Sequence, residues 1–253
     1  MKRIFLFSLC FILVFLVSVL IHVPVSFAIK YLPPIQGLEF NGIGGTVWQG
    51  NAKNIVWKNQ NLGQVVWDFQ PGKLMEGKAE FSLRFGRGSD LNFTGKGNVG
   101  ISISGPYAES VVASVPASQI LQKVNVPVPV SVDGRVELSI HEYRYAAPWC
   151  QSANGTLVWN ASEINSPLGN LNLGALIADV NCSDNKLMAS GNQETKQVAG
   201  AFNAQLDANK VYKMDAWFKP NSEFPAGMKS QLKWLGNPNA EGRYPFVYTG
   251  KLR

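Results

Sequence analysis

The chain opens on one long apolar run and then changes to short stretches in which apolar and polar residues alternate. The run extends from Ile4 to Val23 without a charged residue, directly after Lys2 and Arg3. As a helix, about 20 such residues span about 30 Å, which is the hydrocarbon thickness of a bilayer. The pattern predicts a single transmembrane helix that ends before Pro24, because proline does not continue a helix.

Two interpretations of this apolar segment remain open. A retained anchor would comprise residues 1–28, and its basic residues would hold the N-terminus in the cytoplasm by the positive-inside rule. A cleaved signal peptide would end at the Ser-Phe-Ala sequence of residues 26–28. The apolar part of such a signal usually runs only about 7–15 residues, which favours the anchor. Both interpretations export residues 29–253 from the cytoplasm.

Alternation with a period of two residues recurs along the exported part, as is typical of strands with one buried face. The clearest strands cover residues 79–85, 91–103 (as a pair or one long strand), 136–140, 198–206 and 212–218. Because they follow one another closely, the sequence predicts an antiparallel meander with one dry and one solvated face. The phase of the alternation changes near His141, which predicts a β-bulge there and an exposed histidine.

Helix is scarce after the apolar run. Short amphipathic helices are predicted at residues 116–124 and 225–235, each with a proline at its start. The second would turn Met228, Leu232 and Leu235 inward. Each helix would cover an open end of the sheet.

A weak internal repeat bears on the domain organisation. The sequence GTVWQGNA of residues 45–52 recurs loosely as GTLVWNAS at residues 155–162. This favours two similar β units, residues 37–124 and 132–253, fused into one continuous curved sheet, each opened by a Gly-Thr strand. A chance recurrence of four residues remains the alternative.

Composition agrees with a mainly β chain, and the distribution of charge argues against a nucleic-acid partner. Charged residues make up 16% of the chain, against about 25% in an average soluble domain. Without Lys2 and Arg3 the chain carries 21 basic and 17 acidic residues, a net charge of +4. It has no dense basic run interleaved with aromatic residues, so no nucleic-acid partner is expected.

The chain lacks the sequence patterns of catalysis. There is no G-x-S-x-G elbow and no phosphate-binding glycine loop before a helix, and His141 is the one exported histidine. Alternation places most carboxylates on the solvated faces of strands. We therefore expect no catalytic residues, no cofactor and no metal site, and a protein that is not an enzyme.

The cysteines fit an exported domain. Cys10 lies within the apolar run, while Cys150 and Cys182 both lie in the exported part. An oxidising compartment allows these two to form a disulfide that closes a loop of about 32 residues. Two separate buried thiols are the alternative.

Three of the seven tryptophans invite two interpretations. Trp48, Trp57 and Trp67 lie nine and ten residues apart, close to the spacing of neighbouring strands in a hairpin series. Such residues form cross-strand aromatic pairs that fix strand register. Alternatively, Trp57 or Trp67 belongs to a partner surface, because both lie in stretches that are apolar on both faces.

Two short motifs carry a resemblance to a known family. The first, IGGTVWQG at residues 43–50, follows the anchor, and the second, YPFVYTGKL at residues 244–252, closes the chain. Together with the β-rich body and the proline-rich middle, they resemble the type II secretion system protein N family over the whole chain. The motif residues are Gly45, Thr46, Val47, Trp48, Gly50, Tyr244, Pro245 and Phe246.

The resemblance implies a single-pass inner-membrane protein of the general secretion pathway in a Gram-negative cell, with residues 29–253 as a β-rich periplasmic domain. It implies partners among the inner-membrane and periplasmic secretion subunits. At the level of fold it implies a curved antiparallel sheet like those of AsmA-like proteins, whose inner surface is apolar. The first functional hypothesis is an accessory subunit that assists export of folded proteins across the outer membrane. The second is a periplasmic lipid-binding or lipid-transfer module.

Overall fold

The computed structural model describes residues 2–31, 36–122 and 129–252, with side chains from residue 7 onward. Its helices are α1 (Lys2–Ile21), α2 (Val25–Ile29), α3 (Ala117–Leu121) and α4 (Ala226–Lys229), with 3₁₀ turns at Pro71–Glu76 and Leu232–Leu235. Its strands are β1 (Leu38–Gly45), β2 (Gln49–Trp57), β3 (Gln60–Phe69), β4 (Lys78–Arg87), β5 (Thr94–Ser102), β6 (Gly105–Pro116), β7 (Ser131–Arg144), β8 (Ser152–Ser166), β9 (Gly169–Ser183), β10 (Lys186–Glu194), β11 (Val198–Leu206), β12 (Val211–Pro220) and β13 (Tyr244–Lys251).

All thirteen strands form one antiparallel sheet in which spatial order equals sequence order, β1 to β13. The mainly β fold and the predicted meander are therefore confirmed. Tight hairpins make this order possible: Lys58 and Asn59 between β2 and β3 both have positive φ, as do Asp184 and Asn185 between β9 and β10. Two consecutive residues with positive φ match the right-handed twist of the flanking strands.

Most of the predicted strands occur where the alternation placed them. Residues 79–85 lie in β4, 198–206 form β11 and 212–218 lie in β12. The predicted bulge is also present, because the register of β7 against β8 shifts between Ile140 and Glu142, and His141 is exposed.

The predicted strand over residues 91–103 is shorter, since β5 begins at Thr94 and ends at Ser102. The Oγ atom of Ser89 accepts the Phe93 amide proton at 3.1 Å and donates to the Phe93 carbonyl at 3.3 Å. Asn92 has a φ of 49°. These bonds fold residues 89–93 into a turn, because a serine hydroxyl competes with the strand ladder for local backbone groups.

Both predicted helices are shorter than their patterns. The first is α3, and residues 123–124 of the prediction lie outside the described residues. The second divides into α4 and a 3₁₀ turn, and Leu235 is 51% exposed, so its inward orientation was wrong. The Ser230 hydroxyl donates to the Gly227 carbonyl at 2.8 Å, which ends α4 early. Because α3 packs on β6 and β7, and α4 on β9, neither covers an edge strand.

The two faces of the sheet differ in chemistry and burial. Along β10, exposed and half-buried residues alternate at every position. Since no second layer lies over the sheet within the described residues, few side chains are fully buried. Those that are include Ala52, Tyr107, Ala178, Val198 and Ala199.

The sheet is continuous across the predicted joint between two halves. Strands β6 and β7 flank residues 123–128, which lie outside the described residues, and they pair from Tyr107 opposite Arg144 to Pro116 opposite Arg135. The halves 37–124 and 132–253 stay a prediction.

The N-terminal helix α1 covers most of the predicted apolar segment and ends at Ile21, where the His22 ring nitrogen Nδ1 lies 2.8 Å from the Ser18 carbonyl oxygen. Within the part of the chain whose side chains are described, which begins at Phe7 in α1, no helix has the length and apolar character of a membrane span. The anchor from Ile4 to Val23 stays a prediction.

A disulfide joins Cys150 and Cys182, with 6.4 Å between their Cα atoms. The Asn185 side chain accepts the amide protons of Trp149 and Cys150, both at 3.1 Å. The Trp149 indole donates to the Asp207 carbonyl at 3.1 Å, and the Tyr143 hydroxyl donates to the Trp149 carbonyl. The loop before β8 is thus fastened to the β9–β10 hairpin and to the end of β11.

Replacing both cysteines by serine, Cys150→Ser with Cys182→Ser, should lower the free energy of unfolding by about 3–4 kcal/mol. The reason is that the closed loop of about 32 residues restricts the unfolded chain. Urea unfolding of the full chain in mild detergent measures the change. Cys10→Ser is the matched control and should leave the midpoint unchanged; an equal loss in that variant would contradict the assignment of the effect to the disulfide.

Candidate functional site

The first sequence motif forms a turn, and the predicted Gly-Thr strand was wrong for this copy. Gly45 ends β1 with a φ of 93°, a backbone conformation that favours glycine. The Thr46 hydroxyl oxygen accepts the Gln49 amide proton at 3.1 Å, and the Thr46 amide donates to the Gln49 carbonyl at 2.8 Å. The hydroxyl thereby closes the chain into a turn before β2 begins. The second copy, residues 155–162, lies inside β8 as predicted.

This turn connects α1 to the sheet. The indole N–H of Trp48 donates to the Leu20 carbonyl oxygen at 2.8 Å, and the Val47 amide donates to the Val23 carbonyl at 3.0 Å. Pro24 forms an isolated bridge with Thr46. The last carbonyls of a helix have no partner inside the helix, so a tryptophan from the sheet here satisfies one of them. We call residues 20–25 together with residues 45–50 the junction.

Aromatic packing supports the junction from the sheet side. The ring centroids of Trp48 and Phe69 are 4.9 Å apart, and those of Phe69 and Phe81 are 5.1 Å apart. Trp67 donates its indole proton to the carbonyls of Thr46 at 3.3 Å and Val47 at 3.1 Å. The turn is therefore held on both sides by tryptophan N–H groups.

The two predicted partner-surface tryptophans lie in different surroundings. Trp67 is half-buried and packs against Gly50, where an added Cβ atom would lie 2.5 Å from its ring. This close approach explains why a glycine suits position 50, and it places Trp67 directly against the junction. Trp57 is 47% exposed at the end of β2, with the Lys58 ammonium 5.1 Å from its ring centroid.

One face of the sheet is apolar from β2 to β13. Directly opposed residues of antiparallel strands share a face, so the strand register defines this surface, which we call the apolar face. Its larger side chains include Val65, Trp67, Phe69, Phe81, Leu83, Phe85, Val99, Ile101, Val111, Val115, Val136, Leu138, Ile140, Tyr143, Leu157, Trp159, Leu176, Val180, Leu187, Phe202, Leu206, Tyr212, Met214, Phe218, Tyr244, Phe246 and Tyr248, and β2 contributes Ala52 opposite Val65.

The apolar face is partly open to solvent, most clearly in the last strands. Two shallow hollows of about 260 Å³ and 190 Å³ lie there; the larger is lined by Leu187, Ala204 and Tyr248, among others, and the smaller by Leu176 and Phe202. Phe246 and Tyr248 expose 40% and 58% of their surfaces. Such exposure of large apolar residues along one surface is typical of a contact site.

The opposite face, which we call the polar face, holds one buried carboxylate. Glu80 is 2% exposed, and its Oε2 accepts a hydrogen bond of 2.8 Å from the Tyr107 hydroxyl. Lys78 forms an ion pair of 2.9 Å with Glu109 and lies 5.0 Å from the Tyr107 ring centroid. Burial raises the pKa of the Tyr107 hydroxyl above its ordinary value of about 10, and the hydrogen bond to Glu80 adds to this effect.

Among the described residues, no group of three or more His, Cys, Asp or Glu side chains could together hold a metal ion. Each polar side chain of this group has a partner, because Tyr107 donates to Glu80 and Lys78 pairs with Glu109. It is a structural network of the kind that buried charges require.

Comparison with known proteins connects this architecture to one family. The family model described as "Type II secretion system (T2SS), protein N" matches residues 36–247. The type II secretion system protein N of Vibrio cholerae serotype O1 is 42% identical over 252 residues, covering 100% of both chains. The chain belongs to the type II secretion system protein N family.

Other members of the family agree with this assignment. The type II secretion system protein N of Aeromonas hydrophila is 30% identical over 255 residues, with 100% of both chains covered. The one from Pectobacterium carotovorum is 23% identical over 222 residues, 87% of each chain. No solved structure is a match for the chain.

Membership in the family makes the chain a component of the type II secretion system, with other subunits of that system as its partners. The family match includes the turn of residues 45–50 and all of β1 to β12. The family resemblance stated from the two sequence motifs is thus confirmed, and the first of these motifs forms the sheet side of the junction.

Replacing Trp48 by phenylalanine tests the junction. Trp48→Phe keeps an aromatic ring against Phe69 but removes the hydrogen bond to Leu20, which is worth about 1 kcal/mol net. The Val47 amide, bonded to Val23, should then exchange with solvent about fivefold faster in hydrogen–deuterium exchange. Trp57→Phe, at an exposed position, should leave that rate unchanged; no acceleration in Trp48→Phe would contradict the role of the indole N–H.

Replacing Tyr107 by phenylalanine tests the buried network. Tyr107→Phe leaves the buried Glu80 carboxylate without this donor, so the free energy of unfolding should fall by about 1–3 kcal/mol in urea titrations near pH 7. Above pH 10 the unfolded tyrosine loses its proton while the folded one keeps it, which lowers the stability of the wild type alone. The difference between wild type and variant should therefore shrink as the pH rises above 10.

The control for this variant is Tyr145→Phe, because Tyr145 is 45% exposed. It should change neither the stability at pH 7 nor its decline at alkaline pH. A constant difference between wild type and Tyr107→Phe from pH 7 to pH 11 would show that the Tyr107 hydroxyl has no raised pKa.

Proposed function

We propose that this secretion-system component is anchored in the inner membrane by α1 and places its sheet in the periplasm, where it assists the export of folded proteins by binding other subunits. It acts through contact surfaces and not through catalysis. The observation that carries the proposal is the junction, in which Trp48 binds the Leu20 carbonyl in the last turn of α1 and Val47 binds the Val23 carbonyl just after that helix.

The junction supports the proposal because it fixes the sheet to the helix. A flexible tether would let the sheet move freely over the membrane surface. Two hydrogen bonds, from Trp48 to Leu20 and from Val47 to Val23, instead orient the β1–β2 turn at the end of the helix, and the second forms part of the bridge between Pro24 and Thr46. Tryptophan is also favoured at membrane–water interfaces, where its N–H bonds polar groups and its ring contacts apolar ones.

The length of the sheet places its last strand far from the proposed anchor. Thirteen strands make twelve inter-strand steps of about 4.8 Å, so β13 lies about 58 Å from β1 along the sheet. A protein of this form presents surfaces at a distance from its anchor. That geometry suits a subunit that connects membrane-bound parts of an assembly with periplasmic ones.

The partly open apolar face favours a second candidate, a lipid-binding module. Its hollows beside Phe202 and Tyr248 have apolar walls, and acyl chains would gain free energy by leaving water there. In this alternative the sheet carries phospholipid between the membrane and a partner. The two candidates differ in what they bind when the protein is isolated from cells.

Deleting the gene in its native host tests the proposed function. Exoprotein release should fall at least tenfold, with the exoproteins retained in the periplasm, and the full chain should restore it. A version in which residues 1–28 are replaced by a cleaved signal peptide should not restore release, because the sheet loses its membrane position. Protease added to spheroplasts should digest the sheet domain. Unchanged release after deletion would contradict the proposal.

A pair of neighbouring substitutions separates the lipid alternative from the first candidate. Ala189→Glu adds a charge to the apolar face beside the larger hollow, while Ser190→Glu adds the same charge to the polar face. A lipid module should carry phospholipid, detected by mass spectrometry after detergent-free isolation, and Ala189→Glu alone should remove it. Absence of phospholipid from the wild-type protein, with secretion subunits co-isolated, would leave only the first candidate.

A further inference from the structure

The two edges of the sheet are built differently. The edge strand β1 contains Gly42 and Gly45 with φ of 64° and 93°, carries the exposed Glu39, and packs against α2. Irregular backbone, charge and coverage are the usual ways in which proteins prevent an edge strand from pairing with another chain. The other edge, β13, pairs with β12 over eight residues without any shift in register.

The direction of the free backbone groups of β13 follows from one hydrogen bond. The Leu252 amide donates to the Lys210 carbonyl at 2.9 Å, so residue 252 points toward β12. Because backbone direction alternates along an antiparallel strand, Phe246, Tyr248 and Gly250 also point toward β12. The N–H groups of Val247, Thr249 and Lys251 therefore point away from the sheet, and no described residue pairs with that edge.

Pro245 agrees with this assignment. It lies in the outward-pointing set, opposite Trp217, where its missing N–H costs the β12–β13 ladder no hydrogen bond. A proline at this place also limits where a further strand can bond. The usable edge thus runs from Val247 to Lys251.

The strand β13 carries large apolar side chains on both faces. Phe246 and Tyr248 lie on the apolar face, and Phe246 stacks on Phe218 with 5.6 Å between ring centroids. Val247 lies on the polar face and is 75% exposed. Lys251 is the one charged residue of the strand. An exposed, regular and apolar edge of this kind is a template for an added strand.

The charges around this edge indicate the chemistry of the added strand. Lys213, Lys219 and Lys251 are exposed on the polar face of the last two strands, and none of them forms an ion pair with a described residue. Asp215 is the one acidic residue beside them on these strands. The excess of positive charge would attract a segment with carboxylates on that face.

We propose that β13 is the acceptor edge for an extended segment of another secretion-system subunit, in which apolar residues alternate with acidic ones. Its apolar side chains cover Phe246 and Tyr248, its carboxylates lie beside Lys251 and Lys213, and its backbone bonds the groups from Val247 to Lys251. This inference rests on the proposed function and names its contact surface. A second copy of β13 fits less well, because it would add a further lysine and no carboxylate.

Photo-crosslinking in intact cells tests the surface. A photoreactive phenylalanine analogue at Val247 should form an adduct with an extended, alternating apolar and acidic segment of another secretion subunit. The matched control is Ile177, which is 52% exposed on the same face in the middle of the sheet, and it should give at least tenfold less of that adduct. An adduct only with a second copy of this chain, or equal adducts at both positions, would overturn the proposal.

A backbone substitution tests strand addition itself. Thr249→Pro, combined with the probe at Val247, removes one outward N–H and should reduce the adduct at least tenfold, whereas Thr249→Val keeps that N–H and should reduce it less than twofold. Hydrogen–deuterium exchange of the Tyr248 and Gly250 amides reports whether β13 stays paired with β12. If the Tyr248 and Gly250 amides exchange faster in Thr249→Pro, that variant has separated β13 from β12 and cannot be used. The double charge reversal Lys213→Glu with Lys251→Glu then serves as the test variant, and it should reduce the adduct by the same tenfold factor.

The outcomes separate this inference from the proposed function. If secretion subunits co-isolate equally with the wild type, with Thr249→Pro and with the double variant Lys213→Glu and Lys251→Glu, the role of β13 is overturned and the proposed function still stands. Normal exoprotein release after gene deletion would overturn the proposed function, whatever β13 binds. In a complex with the partner, slow exchange of the Val247 and Thr249 amides, against fast exchange in the free protein, is the positive result.

Discussion

The structure depends on pairing between neighbouring strands within one layer. Each strand bonds only the strands before and after it in sequence, from β1 to β13. Most domains place a second layer over the apolar side of a sheet, and that layer supplies most of the buried surface. Here the described residues contain no such layer, so the backbone ladder and contacts within the apolar face carry the fold. Half-buried aromatic residues such as Phe69 and Phe81 follow from this.

Local cross-links and hydrogen bonds compensate for the small number of fully buried side chains. The Cys150–Cys182 disulfide joins the loop before β8 to β9, and Asn185 bonds the same loop through two amide protons. Near the start of the sheet, Trp48 and Trp67 hold the turn between β1 and β2. Both sets of contacts lie at a loop or a turn. The backbone there has no neighbouring strand to pair with, so these contacts hold it in place instead. The buried Glu80–Tyr107 hydrogen bond instead lies inside the sheet, where it links β4 to β6 across β5.

A linear order of strands gives the two edges of the sheet different roles. The edge at β1 lies beside α1 through the junction, and the edge at β13 lies about 58 Å away along the sheet. The first edge is irregular and partly covered, while the second is regular and apolar. Position and chemistry thus agree: the covered edge lies at the proposed anchor, and the open edge is the one that we propose as the contact for another secretion subunit. This difference between the two edges suits the proposed function, in which an anchored protein binds other subunits of the secretion system.

The amino-acid sequence alone determined the fold class, most strand positions, the bulge at His141 and the family, because period-two alternation and short motifs are local signals. It did not show that the GTVW motif of residues 45–48 forms a turn, since the bonds from Trp48 to Leu20 and from Trp67 to Thr46 connect residues 21 to 28 positions apart. Nor did it show that α4 ends early and that β5 begins late. The hydroxyl groups of Ser230 and Ser89, respectively, determine these two boundaries. Only the tertiary structure brought the apolar positions of twelve strands onto one face and left β13 at its edge, because strand register depends on pairing along the whole chain and not on any one segment.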